Sequence, residues 1–263
     1  MTRRLATLPR REILTGDARR QLARLPGGSV DAIITSPPYY QLRDYAVTGQ
    51  LGLEATVEEW VSNLRAVMAE AARVLKPTGS VWLNLGDSYS RHVRFGAPAK
   101  SLLLGPERLA LALIADGWTI RNKVTWAKTR TMPASVADRL SCTWEVVYFL
   151  TRSRAYHFDL DAIRVPHRSI RRPTATAKAY PPAPAVPPRW AGPLAGNNAG
   201  LGRLKAAGLP GHPLGKNPGD VWALPSANFR GAHFATFPNA LVERPLLARV
   251  PERVCARCAL PWE

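Results

Sequence analysis

Val30-Asp31-Ala32-Ile33-Ile34-Thr35-Ser36-Pro37-Pro38-Tyr39 is an apolar run closed by a rigid turn that ends in an aromatic ring. The run predicts a strand buried on both faces of a parallel sheet. A strand that halts at Pro-Pro presents its last polar groups at the carboxyl edge of that sheet, where open α/β folds bind their ligands. Pro37 and Pro38 carry no amide N–H, so the turn offers carbonyl acceptors; the Ser36 hydroxyl adds another acceptor and Tyr39 a stacking face. Together they suit a clamp for a flat base bearing an exocyclic amine.

Outward from this turn, elements of both kinds alternate. Upstream, Arg11 to Leu14 reads as a short strand running into Thr15-Gly16-Asp17, followed by a short helix from Ala18 to Leu25. Downstream, Thr56 to Leu75 repeats apolar residues at three- and four-residue steps, with Thr56 as N-cap, Glu59 three positions on, and Lys76-Pro77-Thr78-Gly79 as a stop. Ser80 to Leu85 is a second buried strand, Leu102 to Asp116 a further helix, and Trp118 to Trp126 and Thr143 to Thr151 two more strands. The pattern predicts an α/β fold, a mostly parallel sheet with helices on both faces, and the direct step between the last two strands allows one antiparallel strand near the edge. From Pro166 to Pro218 the composition turns to Pro, Ala, Gly and Arg, which reads as a mobile basic loop or linker. Order resumes with a strand at Gly219 to Leu224 and a helix from Pro238 to Val250.

At 263 residues and 46% hydrophobic content the chain can bury the core of one α/β domain. No stretch reaches the apolar length of a transmembrane span and the first residues are too polar for a secretory signal, so a cytoplasmic protein is expected. Its formal charge of +17 has two open readings: attraction to a polyanion, nucleic acid above all, or a coding bias that enriches Arg without a binding role. Three cysteines make no disulfide framework. Cys142 reads as a small buried hydrophobe; Cys255 and Cys258 form half a zinc site, so no metal is expected.

Gly16-Asp17, Ser36-Pro37-Pro38-Tyr39 and His233-Phe234-Ala235-Thr236-Phe237-Pro238-Asn239-Ala240-Leu241, in this order, resemble the permuted (beta) class of DNA amino-methyltransferases. Trp126-Ala127-Lys128, the Trp144-Glu145 strand and Tyr156-His157-Phe158-Asp159 are similar to that family's later blocks. The resemblance implies a Rossmann-like sheet, S-adenosylmethionine as cofactor and double-stranded DNA as partner. It implies methyl transfer to the amine of a flipped base, and Ser before Pro-Pro-Tyr favours cytosine N4 over adenine N6. Ser36, Pro37, Pro38 and Tyr39 would be the catalytic set, Ser36 and the Pro37 carbonyl holding the amine hydrogens while Tyr39 stacks on the base. Asp17 would accept from the cofactor's adenosyl amine, and Phe237-Pro238 would pack by its methionine end. Plainer readings stand beside these: Asp17 as a helix cap, Phe237-Pro238 as a helix start, Trp126, Trp144 and Trp222 as core, and Lys128 as a solvated loop lysine.

The resemblance also implies a glycine-rich turn after a late strand, and none follows Cys255 in this sequence. The expectation is therefore an incomplete sheet, with the apolar strand at Ile33-Ile34 left as an edge, and a truncated chain, inactive alone, for which a second polypeptide could supply the cofactor motif. The expected organisation is a catalytic domain over residues 1–165, a linker or target-recognition region over 166–218, and the returning strand and helix of the catalytic domain over 219–263. Two other functions are open: a catalytically dead DNA-binding remnant, and methylation of RNA or protein.

Overall fold

The computed structural model describes residues 11–131, 133–167, 211–227, 229–231, 233, 235–251 and 253–255. Most of the proline-rich stretch, Phe234 and Cys258 lie outside them. The chain divides into two compact units: Met1–Phe158 with Asp220–Glu263, and Asp159–Gly219. In the second unit, Val165 and Lys216 exchange backbone hydrogen bonds of 3.0 and 2.9 Å, closing the two described ends against each other.

The first unit holds one sheet. Its strands are β1 (Val30–Thr35), β2 (Leu75–Leu85), β3 (Thr119–Lys128), β4 (Trp144–Thr151) and β5 (Val221–Leu224), in the spatial order β1-β2-β4-β3-β5. β1 runs parallel to β2 and β5 parallel to β3, whereas β4 is antiparallel to both its neighbours. The sheet is thus mostly parallel with one antiparallel strand. That strand lies in the middle of the sheet, not near its edge, because β4 inserts between β2 and β3 instead of extending the sheet outward. β1 stands at one end and is half-buried along its whole length.

Alternate residues of the central strands feed two cores, as a pleat of period two requires. Val81, Leu83, Leu85, Val146, Tyr148 and Leu150 pack with the helices α2 (Val57–Val74) and α3 (Gly105–Ala115). On the opposite face Trp82, Val147, Phe149, Val124, Trp126 and Trp222 pack with Leu241 of α4 (Asn239–Arg249). The reading of helices on both faces therefore holds. α2 begins as its sequence dictates: Thr56 Oγ1 accepts the Glu59 amide, and the Glu59 carboxylate accepts the Ala55 amide.

Several local expectations fail. β1, read as buried on both faces, is half-buried because it stands at the end of the sheet. β2 begins at Leu75, taking in the Lys76-Pro77-Thr78-Gly79 segment read only as a helix stop, because Val30 pairs with Leu75 ahead of the Ala32–Ser80 register. Arg11 to Leu14 forms no strand, and Ile13 is 90% exposed; the helix α1 (Ala18–Ala23) follows it directly. Cys142 is exposed ahead of β4, not buried within it. α3 starts at Gly105, later than its apolar pattern, because the Asp87 carboxylate beyond the end of β2 accepts the amides of Leu104 and Gly105 and fixes the first turn there. No helix among the described residues is long and apolar enough to cross a membrane.

Candidate active site

β1, β2, β3 and β5 all end at one edge of the sheet, and the antiparallel β4 begins there. Thr35 pairs with Leu83, Asn84 with Val147, Trp126 with Glu145 and Lys128 with Leu224, so these residues share one rim. The turn Ser36-Pro37-Pro38-Tyr39 leaves β1 at this rim and is anchored from below. The Trp60 indole of α2 donates to the Pro38 carbonyl at 2.9 Å. Gln41 N–H donates to the Gly52 carbonyl at 2.7 Å. Gly52, at φ +100°, lies so close that a Cβ there would stand 2.9 Å from the Tyr39 carbonyl oxygen. On the other side of the turn, Gly86 lets the Tyr39 ring lie against the backbone: a Cβ at Gly86 would meet Tyr39 Cε2 at 2.7 Å.

The turn lines a cavity of about 480 Å³ together with Asn84, Trp126, Lys128 and Glu145, a size usual for small-molecule sites. Five of its side chains form one polar cluster. The Ser36 hydroxyl donates to Tyr39 Oη at 3.1 Å. Tyr39 Oη lies 2.6 Å from Glu145 Oε2 and 3.1 Å from Asn84 Oδ1, and donates to the nearer carboxylate. Asn84 Nδ2 donates to the same carboxylate oxygen and to the Val146 carbonyl, both at 3.1 Å. Lys128 forms an ion pair with Glu145 Oε1. Burial, and then the adjacent Glu145 charge, hold the Tyr39 phenol far above its ordinary value, so it stays neutral and donates.

A second cavity of about 770 Å³ shares Ser36, Ser226, His233 and Phe237 with the first and adds Pro238 and Asn239. The structure thus gathers Ser36, Pro37, Pro38, Tyr39, Phe237 and Pro238 into one region. Asp17 lines neither cavity: its carboxylate accepts the Arg20 amide at 2.9 Å and caps α1. Lys128 is no solvated loop lysine but an ion-paired residue at the end of β3. Trp126 and Trp222 are core residues, whereas Trp144 is 50% exposed. Asn84 and Glu145 escaped the sequence reading as site residues. Each is a polar residue at the rim end of an otherwise apolar strand, which is the signal that could have found them.

A clamp of this kind at the carboxyl edge of a sheet with one reversed strand is the architecture of the Rossmann-like methyltransferases. The PvuII DNA methyltransferase (cytosine-N4-specific) shares the fold, with a TM-score of 0.57 and 15% identity over 91% of this chain and 70% of that one. In sequence, the family model described as DNA methylase matches residues 30–253. The type II methyltransferase M.Cfr9I of Citrobacter freundii is 33% identical over 257 residues, 90% of this chain and 71% of that enzyme. The chain belongs to the DNA methylase family. The type II methyltransferase M.SfiI of Streptomyces fimbriatus is 47% identical over 179 residues, 64% of this chain, and the match spans 42% of that enzyme's length.

Proposed function

We propose that this protein transfers a methyl group from S-adenosylmethionine to the exocyclic amine of a base in double-stranded DNA, cytosine N4 in preference to adenine N6. The observation that carries the reading is the placement of Ser36. It lines both cavities, its own proton is directed to Tyr39, and its oxygen lone pairs remain to accept an N–H from a base in the smaller cavity. An exocyclic amine is a poor nucleophile while its lone pair is delocalised into the ring. Acceptors on its hydrogens, Ser36 and the Pro37 carbonyl, favour a pyramidal nitrogen with a localised pair.

The larger cavity fits the donor: its volume lies within the range of roughly 300–1,000 Å³ usual for cofactor sites, and Phe237 and Pro238 give it an apolar wall. Bound there, S-adenosylmethionine supplies an electrophilic methyl on a sulfonium, so alignment matters more than acid or base strength. Phe237 and Pro238 would hold the donor, while Ser36 faces the boundary the methyl must cross. A base reaches the smaller cavity only after leaving the duplex, and the Tyr39 ring offers a stacking surface there. The charge of +17 supports DNA as the polyanion. Serine before Pro-Pro-Tyr supports cytosine, by the family tendency.

The test is transfer of labelled methyl from the donor to duplex DNA, RNA and protein, with digestion of the DNA to nucleosides. N4-methylcytosine is the expected product. Label in RNA or protein but not in DNA would refute the reading, and N6-methyladenine would refute the base preference. Titration of the donor by calorimetry reads whether this chain binds it alone.

A further inference from the structure

We propose that Glu145 ends a hydrogen-bonded relay, Ser36–Tyr39–Glu145, which draws the surplus proton from the amine as it is methylated, with Lys128 fixing the carboxylate as its counter-ion. The inference rests on the amine-methylation reading above and assigns work to two residues, Glu145 and Lys128, which that reading leaves idle.

The geometry is directional. Ser36 donates to Tyr39 at 3.1 Å and Tyr39 donates to Glu145 at 2.6 Å, so both hydrogens are directed along one chain toward the carboxylate. A hydroxyl whose hydrogen is already donated is a better acceptor, which strengthens the hold of Ser36 on an amine N–H. The carboxylate is built in: its side chain is 14% exposed and that of Lys128 24%, and Asn84 donates to the oxygen that Tyr39 uses. A carboxylate placed only to hold the tyrosine ring would not require a cation. A lysine on its other oxygen keeps the buried negative charge in place between turnovers.

The step balances. The amine lone pair attacks the methyl carbon as the carbon–sulfur bond breaks, and its electrons return to sulfur, which passes from sulfonium to neutral thioether. Nitrogen is left with one positive charge. An N–H proton passes to Ser36 Oγ, the Ser36 proton to Tyr39 Oη and the Tyr39 proton to Glu145 Oε2. The net result is a neutral methylamine, both hydroxyls restored and a protonated carboxyl, which later yields its proton to water. Burial and the Glu145 charge disfavour a Tyr39 phenolate, so the transfers are concerted along the chain and do not pause at the ring oxygen.

Three variants test this in single-turnover transfer to duplex DNA: Glu145→Gln, which keeps an acceptor for Tyr39 but takes up no proton; Tyr39→Phe, which keeps the ring but cuts the relay; and the double variant. The expected outcome is a rate loss of about 100-fold in each single variant, no further loss in the double variant, and unchanged DNA affinity. Lys128→Met/Glu145→Gln, which removes both charges, guards against misfolding and should lose as much as Glu145→Gln. A second readout needs no turnover: with isotope-labelled tyrosine, the Tyr39 ζ-carbon resonance should shift between the wild type and Glu145→Gln. Wild-type transfer with Glu145→Gln unimpaired, multiplied losses in the double variant, or an unmoved Tyr39 resonance would each overturn the relay alone. No methylation of any base amine by a wild type that binds the donor in calorimetry would overturn the underlying reading, and the relay with it.

Discussion

Replacing Gly86 by alanine probes how tightly the clamp is set. The added Cβ would stand 2.7 Å from Cε2 and 2.9 Å from Cδ2 of Tyr39, where carbon atoms normally approach to about 3.5 Å. The ring must therefore retreat by about 0.8 Å, the difference between those contacts. Tyr39 Oη, now 2.6 Å from Glu145 and 3.1 Å from Ser36, cannot keep both partners through such a shift, and the ring tilts in the cavity the base would enter. A misplacement of about 1 Å in a reacting assembly costs on the order of 100-fold in rate, whereas overpacking of this kind costs about 1–3 kcal/mol of stability. Gly86→Ala should thus remain folded in urea titration yet lose about 100-fold in single-turnover methyl transfer. A wild-type rate in a folded variant would refute the argument, since it would show that Tyr39 can move that far without consequence.

Trp60→Phe deprives the Pro38 carbonyl of its 2.9 Å donor and should lose about 1–3 kcal/mol in urea unfolding; no loss would mean that the turn is held by its prolines alone. Arg249 is 1% exposed, donates to Ser80 and the Thr78 carbonyl, and lies against Phe149 and Tyr156 without a carboxylate partner among the described residues. Burial pulls its guanidinium down to about 10, so below that pH the charge is held in the fold at a cost. Arg249→Met should stay within about 1 kcal/mol of the wild type, and Arg249→Ala should fall by about 3 kcal/mol; equal losses in unfolding experiments would show that charge and not volume secures α4. Burial also holds the Asp87 carboxyl above its ordinary value despite its amide donors. Its contribution is therefore fully present below the unfolded-state value and declines as pH rises through the folded one. Asp87→Ala should lose about 1 kcal/mol near neutrality and more in acid, read from urea midpoints; a loss that grows with rising pH would contradict this.

What could be read from sequence was what neighbouring residues determine among themselves. β2 was legible because burial leaves an unbroken apolar run, β1 because its apolar residues run straight into the Pro-Pro turn although the strand is only half-buried, and α2 because Thr56 and Glu59 cap a long amphipathic repeat. Ser36 to Tyr39 were legible because a Pro-Pro turn after a strand constrains itself. Arg11 to Leu14 misled because two apolar residues without a pairing strand carry no commitment to a sheet, and Ile13 stays in solvent. The α3 boundary was hidden because its cap, Asp87, lies 18 residues before Gly105. Lys128 looked like a loop lysine because its partner lies 17 positions away across a strand pair.

The polar half of the site was hidden for a deeper reason: it depends on the direction in which one strand runs. β4 opens with Trp144-Glu145 and ends at Thr151. Were β4 parallel to its neighbours, Glu145 would stand at the opposite end of the sheet, six residues and about 20 Å from the turn at a rise of about 3.3 Å per residue. Reversal of this single strand puts its first residues where the other four strands finish, and pairs Glu145 with Trp126, two residues from Lys128. Periodicity reports that a segment is a strand and which residues share a face, but it is unchanged when the strand is turned end for end. The carboxylate beneath Tyr39 is thus a product of topology. Any related sheet that keeps the reversed strand can carry an acid there, whatever the length of the connection between β3 and β4.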